Sequence, residues 1–179
     1  MNRAIKATVT VLLSTALALS VKGQELKINE TTGKYHEENV IIVDLAKKDT
    51  LFKKTYKWLF TKYPNTGEKG TYIDALKGKI ITHQYYLPDP NGLWDFTNLR
   101  IGFILTCEFK DTRVKYIFTD FYYFSTGDGK VPFDSQKFKR NNLLVRDVML
   151  KATYENLKDI IDELTVYLQT VNNIKPPVK

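Results

Sequence analysis

Cysteine is nearly absent from this 179-residue sequence, and its scarcity limits what the chain can do. Cys107 is the single cysteine, so no disulfide can form within the chain, and the hydrophobic core must stabilise the fold. We expect the Cys107 thiol to be buried, because the residue belongs to a row of apolar positions. Histidine is also scarce. With only His36 and His83, no zinc-type cluster of ligands is recognisable, and we expect neither a metal nor a cofactor.

Familiar catalytic and nucleotide-binding motifs are missing as well. The sequence contains no G-x-G-x-x-G, no phosphate loop and no G-x-S-x-G elbow. Cys107 and His83 could in principle form a nucleophile–base pair, but the apolar row around Cys107 favours a packed thiol. The Gly-Asp-Gly at 127–129 is too short for a calcium loop, whose ligands spread over about 12 residues. We therefore predict that the protein is not an enzyme.

Long hydrophobic runs are absent except at the N-terminus, where residues 7–20 are uncharged and apolar and follow Arg3 and Lys6. This run is shorter than the roughly 20 residues of a membrane-spanning helix. It is typical of a cleaved secretory signal peptide over residues 1–23, with the cut between Gly23 and Gln24; an uncleaved anchor is the alternative. No cysteine follows the run, so we expect a protein of the periplasm or the medium that is not a lipoprotein and keeps no membrane span.

The charge balance argues against nucleic acid as a partner. The net charge is +7, but residues 1–23 carry three basic and no acidic side chains, so the rest of the chain carries only +4. With 43% hydrophobic and 26% charged residues, the composition is that of a globular domain. We predict a polar lead-in over residues 24–37, one domain over 38–171 and a flexible tail over 172–179.

Hydrophobic spacing predicts the element order β-α-β-β-β-β-α. An isolated hairpin is not stable, so four or five antiparallel strands must lay one face on two helices in an α+β fold. The predicted strands are 38–45, 71–76, 79–87, 99–110 and 113–124, and the predicted helices are 49–64 and about 147–171.

Residues 99–110 and 113–124 form the clearest predicted hairpin. A two-residue turn at 111–112 places Lys110 opposite Arg113 and fixes every later pair. In this register Ile101 pairs with Tyr122, and Leu99 pairs with Phe124. The core face of the second strand then carries Tyr116, Phe118, Asp120, Tyr122 and Phe124, whereas Phe121 and Tyr123 face the other way.

Asp120 is the anomalous residue of that core face, where it is expected opposite Phe103. Burying a lone carboxylate is costly, so Asp120 must be paired, hydrogen-bonded, near an edge or turned outward by a bulge. A catalytic role would need a partner such as His83 nearby, and no motif places one there.

Three stretches of the sequence resemble one known family. They are 51-LFKKTYKWL-59, 74-DALKGKI-80 and 110-KDTRVKYIFTDFYYF-124, the last followed by a long final helix. They resemble the domain of unknown function 4468, whose members are small exported bacterial proteins with a fold similar to the TATA-binding protein. That family shows a Lys-Asp-Gly-Arg-Tyr-like turn, in which Thr112 and Val114 here replace Gly and Tyr.

The resemblance covers about residues 38–171 and implies a curved antiparallel sheet with two helices on one face. It implies no activity, ligand or catalytic residue, because the family has none established. A fold similar to that of the TATA-binding protein does not by itself imply DNA binding.

The sheet face away from the helices is the predicted binding surface. Exposed apolar patches of a few hundred Å² usually mark interaction sites. Coverage by the lead-in, by the 125–146 connector or by another subunit is the alternative. The residues expected on or beside this surface are Ile104, Ile117, Phe121, Tyr123 and Trp94.

From these features we predict a non-enzymatic binding or protein-interaction domain whose partner is an envelope protein or ligand. The alternative is an envelope-associated enzyme or small-ligand carrier with a site near Asp120 and His83.

Overall fold

The chain forms an open antiparallel sheet of seven strands with two long helices on one face. The structure, a computed structural model, describes residues 26–63, 70–86, 99–141 and 143–170. Its strands are β1 (Lys27–Ile28), β2 (Tyr35–Ile42), β3 (Thr71–Asp74), β4 (Lys79–Tyr86), β5 (Arg100–Lys110), β6 (Arg113–Ser125) and β7 (Gly129–Pro132). Its helices are α1 (Lys48–Lys62), α2 (Gln136–Lys139) and α3 (Leu143–Thr170).

The predicted α+β class is confirmed, and the predicted element order is incomplete. It lacks β1, β7 and the short helix α2. β1 and the start of β2 lie within the segment predicted as a polar lead-in, so that segment joins the sheet. The predicted signal peptide, the C-terminal tail 172–179 and Trp94 lie outside the described residues.

Strand β6 lies inside the sheet and has different neighbours along one edge. The strands are ordered β1-β2-β6-β5-β4-β3, and β7 also pairs with β6. β2 pairs with residues 113–118 of β6, and β7 pairs with residues 122–125 of the same strand. The edge of β6 is therefore shared by two strands that are separated by a short gap.

Helices α1 and α3 cover one face of the sheet, called here the inner face. The ring of Phe52 in α1 contacts that of Phe109 in β5, with 5.4 Å between centroids. The Tyr86 hydroxyl of β4 donates a hydrogen bond of 3.1 Å to the Thr153 hydroxyl of α3. As the spacing predicts, the buried side of α1 consists of Leu51, Thr55, Trp58 and Leu59. The buried side of α3 consists of Met149, Leu150, Thr153, Leu157, Ile160, Leu164 and Leu168.

The start of α1 is capped from a distant part of the chain. Lys47 precedes the helix and supplies no side-chain hydrogen bond. Instead the backbone N–H of Lys48 donates to the Asp111 carboxylate in the β5–β6 turn, at 2.8 Å. This bond holds the pKa of Asp111 below its ordinary value and joins the helix to the hairpin.

Cys107 lies on the inner face and is fully buried, as predicted. Burial raises the pKa of its thiol to about 12, because the apolar surroundings disfavour the thiolate. The sulfur is therefore a packed, protonated thiol at neutral pH.

Candidate functional site

A bulge at Asp120 divides the β5–β6 hairpin into two halves. From the turn up to the pair Ile104–Thr119, the strands follow the predicted register. The register then shifts between Gly102 and Ile104. Asp120 has a φ of 52°, in the left-handed region that aspartate tolerates better than most residues, and it is the extra residue of β6. Beyond Asp120, each side chain of β6 points to the sheet face opposite to the predicted one.

The predicted positions of four aromatic residues are consequently wrong. Phe121 and Tyr123 were expected on the outer face, but they are 3% and 5% exposed on the inner face. Tyr122 and Phe124 take the outer positions, and Phe124 is 45% exposed. Asp120 is also not on the apolar face: its side chain points outward, as the bulge alternative allows.

The predicted pairs beyond the bulge change accordingly. Ile101 pairs with Tyr123 and Arg100 pairs with Phe124. The predictions of Ile101 opposite Tyr122 and of Leu99 opposite Phe124 are therefore wrong by one residue.

Phe121 joins an aromatic cluster formed by the connector after β6. Its ring stacks on Phe133 at 6.1 Å, and Phe133 stacks on Phe138 of α2 at 4.5 Å with an interplanar angle of 3°. Tyr123 packs against Phe138 at 6.2 Å. Polar and basic residues in the connector conceal this role in the sequence, although the alternation of Val131 and Phe133 indicates a strand with one buried face.

The outer face is open to solvent at several apolar positions. Val40, Tyr72, Tyr85 and Phe124 are between 40% and 53% exposed. At its centre, Ile81 of β4 and Ile117 of β6 flank Thr106 of β5, and Ile104 lies in the next row. We call Ile81, Ile104 and Ile117 the outer apolar centre; all three are partly buried. Ile104 and Ile117 thus lie on the face where the sequence places them.

The charges in the middle of the outer face neutralise one another across strands. Lys79 and Glu108 form an ion pair of 3.0 Å, and Lys115 and Glu38 form one of 3.1 Å. Glu108 and Lys115 are opposite in register, as predicted, but each finds its ion partner on its other neighbouring strand.

One end of the outer face combines cations with aromatic rings. A Cβ added at Gly102 would overlap the Tyr122 ring, so only glycine leaves room for that ring on the sheet. The Lys130 ammonium lies 4.0 Å from the centroid of the Tyr122 ring. The Arg100 guanidinium lies 5.5 Å from that of Tyr85. Cation–π attraction therefore holds two positive charges at this end.

A recess of about 220 Å³ opens beside the bulge, where β2 has left β6 and β7 has joined it. We call it the Asp120 recess. The Lys34 ammonium and the Asp120 carboxylate form an ion pair of 2.7 Å at its wall. The hydrogen bond from Lys34 is the main reason that the pKa of Asp120 is lowered, and Asp120 likewise raises the pKa of Lys34. Its lining includes Lys34, Tyr35, Asp120, Tyr122, Lys130 and Asp134.

The structure does not bring Asp120 and His83 together. His83 lies on β4 in the row of Ile104 and Thr119, and strand β5 separates it from β6. Neighbouring strands are roughly 4.8 Å apart, so two strand spacings amount to about 10 Å. His83 is exposed on the outer face and does not line the recess.

The described residues contain neither a metal-binding cluster nor a membrane-spanning helix. In residues 26–63, 70–86, 99–141 and 143–170, His, Cys, Asp and Glu form no group of three or more that could hold a metal ion. No helix within those ranges combines the length and the apolar character needed to cross a bilayer.

Comparison with known proteins identifies the fold. The chain is similar to the crystal structure of a DUF4468 family protein from Bacteroides ovatus, with a TM-score of 0.61 and 11% identity over 85% of this chain and 93% of that chain. It is also similar to a TBP-like protein from Parabacteroides distasonis, with a TM-score of 0.58 and 13% identity over 79% of this chain and 96% of that chain. No curated protein is similar to it at a significant level.

The family assignment agrees with the structural comparison. Residues 38–124 match the sequence profile of the domain of unknown function DUF4468, which has a TBP-like fold. That range includes β2 to β6 nearly complete, and thus the bulge and the outer apolar centre. Residues 38–124 are therefore similar to the DUF4468 domain, and the fold of the chain is TBP-like.

Proposed function

We propose that the protein is an exported, non-enzymatic binding domain that holds another envelope protein against the outer face of its sheet. The outer apolar centre carries this proposal: Ile81, Ile104 and Ile117 stay partly exposed on a face whose margins include exposed Tyr72 and Phe124. Clusters of exposed apolar side chains often mark interaction sites. The helices α1 and α3 pack on the opposite face and leave this one accessible.

The charges of the outer face indicate the chemistry of the partner. Its central carboxylates, Glu38 and Glu108, are already neutralised by lysines. Positive side chains at both ends form no ion pair with any residue that the structure describes: Arg100 and Lys130 at one end, Lys110 and Arg113 at the other. A complementary protein surface is apolar in its centre and acidic at its two ends. A nucleic acid would leave the outer apolar centre unused.

Export is a separate part of the proposal. The apolar run at residues 7–20 after Arg3 and Lys6 supports a signal peptide that is removed between Gly23 and Gln24. The intact mass of the protein isolated from the cell envelope tests it. A chain that begins at Gln24 is expected, and a chain that keeps residues 1–23 would refute cleavage.

Site-specific photo-crosslinking tests the binding surface in the cell. A photoreactive amino acid replaces Thr106, which lies between Ile81 and Ile117, and in a second strain replaces Val166, which is 62% exposed on α3. We expect one defined envelope protein to be crosslinked from position 106 and not from position 166. Mass spectrometry identifies it.

The affinity between the purified protein and its purified crosslinked partner is then the decisive measurement. The double variant I104S/I117S is expected to weaken binding of the identified partner at least tenfold, and the matched surface variant V166S is expected to bind as the wild type does. Urea unfolding of each variant checks that the fold persists. Unchanged affinity in I104S/I117S would exclude the outer apolar centre as the contact surface.

A further inference from the structure

The Asp120 recess has the features of a small-molecule site and is distinct from the outer apolar centre. It exists because β6 exchanges one neighbour for another. Phe118 is the last residue of β6 that pairs with β2, and Tyr122 is the first that pairs with β7. The left-handed backbone of Asp120 lies in the gap between them. Sparsely populated backbone conformations of this kind cluster at ligand sites.

Four charged side chains line the recess, and two of them form a direct ion pair. Lys34 and Asp120 form the ion pair of 2.7 Å. Lys130 and Asp134 form no ion pair with another described residue. The Lys130 ammonium is held over the Tyr122 ring, and Asp134 is partly buried. Lys130 helps to lower the pKa of Asp120 and Asp134 helps to raise that of Lys34, so the four charges act on one another. The recess therefore offers one cation and one anion that are not engaged in a direct ion pair with a described residue.

We propose that the Asp120 recess binds a free α-amino acid. The ligand carboxylate pairs with Lys130, the ligand ammonium pairs with Asp134, and the ligand side chain contacts the rings of Tyr35 and Tyr122. A ligand with a single charge would displace water from both recess charges and satisfy only one of them, which is unfavourable. A zwitterion satisfies both.

The size of the recess agrees with this ligand class. One water molecule occupies about 30 Å³ of liquid, so about 220 Å³ accommodates roughly seven waters. This space suits an amino acid with a small or medium side chain, and it lies below the range of about 300–1,000 Å³ typical of drug-sized ligands. The inference goes beyond the protein-binding surface: the recess shares Lys130 with one end of that surface, but none of its lining residues belongs to the outer apolar centre.

NMR titration of the ¹⁵N-labelled protein with single L-amino acids at millimolar concentration tests the proposal. At least one amino acid is expected to give saturable shifts confined to residues around 34–35, 120–122 and 130–134. For L-leucine the matched analogues are 4-methylpentanoate, which lacks the ammonium, and 3-methylbutylamine, which lacks the carboxylate. The corresponding analogues of whichever amino acid binds are expected to bind at least tenfold more weakly.

Four variants locate the two charges. K130M and D134N are each expected to weaken binding of the amino acid at least tenfold. The matched controls K53M and D44N alter exposed residues outside the recess and are expected to bind as the wild type does. Spectra of the unliganded variants, unchanged outside the substituted position, establish that each is folded.

Three results would overturn the inference. They are the absence of saturable shifts with every amino acid, equal affinity for an analogue that lacks one charge, and unchanged affinity in K130M or D134N. The double variant I104S/I117S is expected to retain amino-acid binding, so failure at the outer apolar centre and failure at the recess are distinguishable.

Discussion

Replacing Phe121 and Phe124 by alanine, one at a time, tests the bulge at Asp120 with chemically identical changes. Phe121 is 3% exposed and stacks on Phe133, whereas Phe124 is 45% exposed on the outer face. An aromatic side chain buries about 150–250 Å², which at ~25 cal/mol per Å² amounts to about 4–6 kcal/mol as an upper bound. Core Phe→Ala changes typically cost about 3–5 kcal/mol.

We therefore expect F121A to lower the free energy of unfolding by about 3–5 kcal/mol. F124A is expected to lower it by about 1 kcal/mol or less, since surface changes have small effects. Urea unfolding followed by circular dichroism measures both values, and a difference of at least about 2 kcal/mol is expected. An unbroken strand would give the reverse order. A loss in F124A equal to or larger than that in F121A would therefore refute the assignment of faces beyond Asp120.

Three further predictions concern single contacts. G102A is expected to destabilise the protein by about 1–3 kcal/mol because its Cβ overlaps the Tyr122 ring. In a double-mutant cycle, G102A should lower the free energy of unfolding less in the Y122A background than in the wild type. An equal decrease in both backgrounds would contradict the contact. D111N is expected to lower the urea midpoint at pH 7, because the first turn of α1 loses its charged acceptor at the Lys48 N–H. The pKa of Asp111 is lowered in the folded state, so its carboxylate stabilises the fold above the ordinary carboxyl pKa. This stabilisation disappears as the pH falls through the lowered pKa, so the urea midpoints of D111N and the wild type should become equal in acid. Cys107, whose pKa is raised to about 12, should not react with a thiol reagent at pH 8 until urea unfolds the chain, and fast reaction of the native protein would contradict its burial.

The helices and the first half of the hairpin are predictable from the sequence because their side-chain spacing is uninterrupted. Leu51, Trp58 and Leu59 repeat at helical intervals and lie on the buried side of α1. The β5–β6 register holds from the turn to Thr119, because alternating apolar residues on both strands require the same pairing.

The second half of the hairpin is not predictable by alternation, because one extra residue reverses the direction of every later side chain. Asp120 is itself the available signal: a carboxylate in an apolar row favours an outward turn, and a bulge is one way to achieve it. The sequence pattern alone does not distinguish a bulge that turns Asp120 outward from an ion pair that neutralises it within the core. In the structure the bulge and an ion pair occur together, because the bulge turns Asp120 outward and its carboxylate pairs with Lys34 there.

The outer face is predictable only in part for the same reason. Ile104 and Ile117 precede the bulge and lie where the alternation places them, whereas Phe121 and Tyr123 follow it and are buried. The recess is beyond sequence reasoning altogether. Its walls come from β2, β6 and β7, and the pairing that brings Lys34 to Asp120 joins residues 86 positions apart.

The division of β6 between two neighbours also has a consequence for the order of folding. Strands β3 to β7 follow one another along the sheet with sequential pairing, so their contacts are local, and local contacts form early. β2 has to return to β6 from the other side of α1. Closing the loop over the separation of 86 positions from Lys34 to Asp120 carries an entropic cost on the order of 4 kcal/mol. We expect β2 to dock last, so the recess is completed only when the whole sheet is assembled.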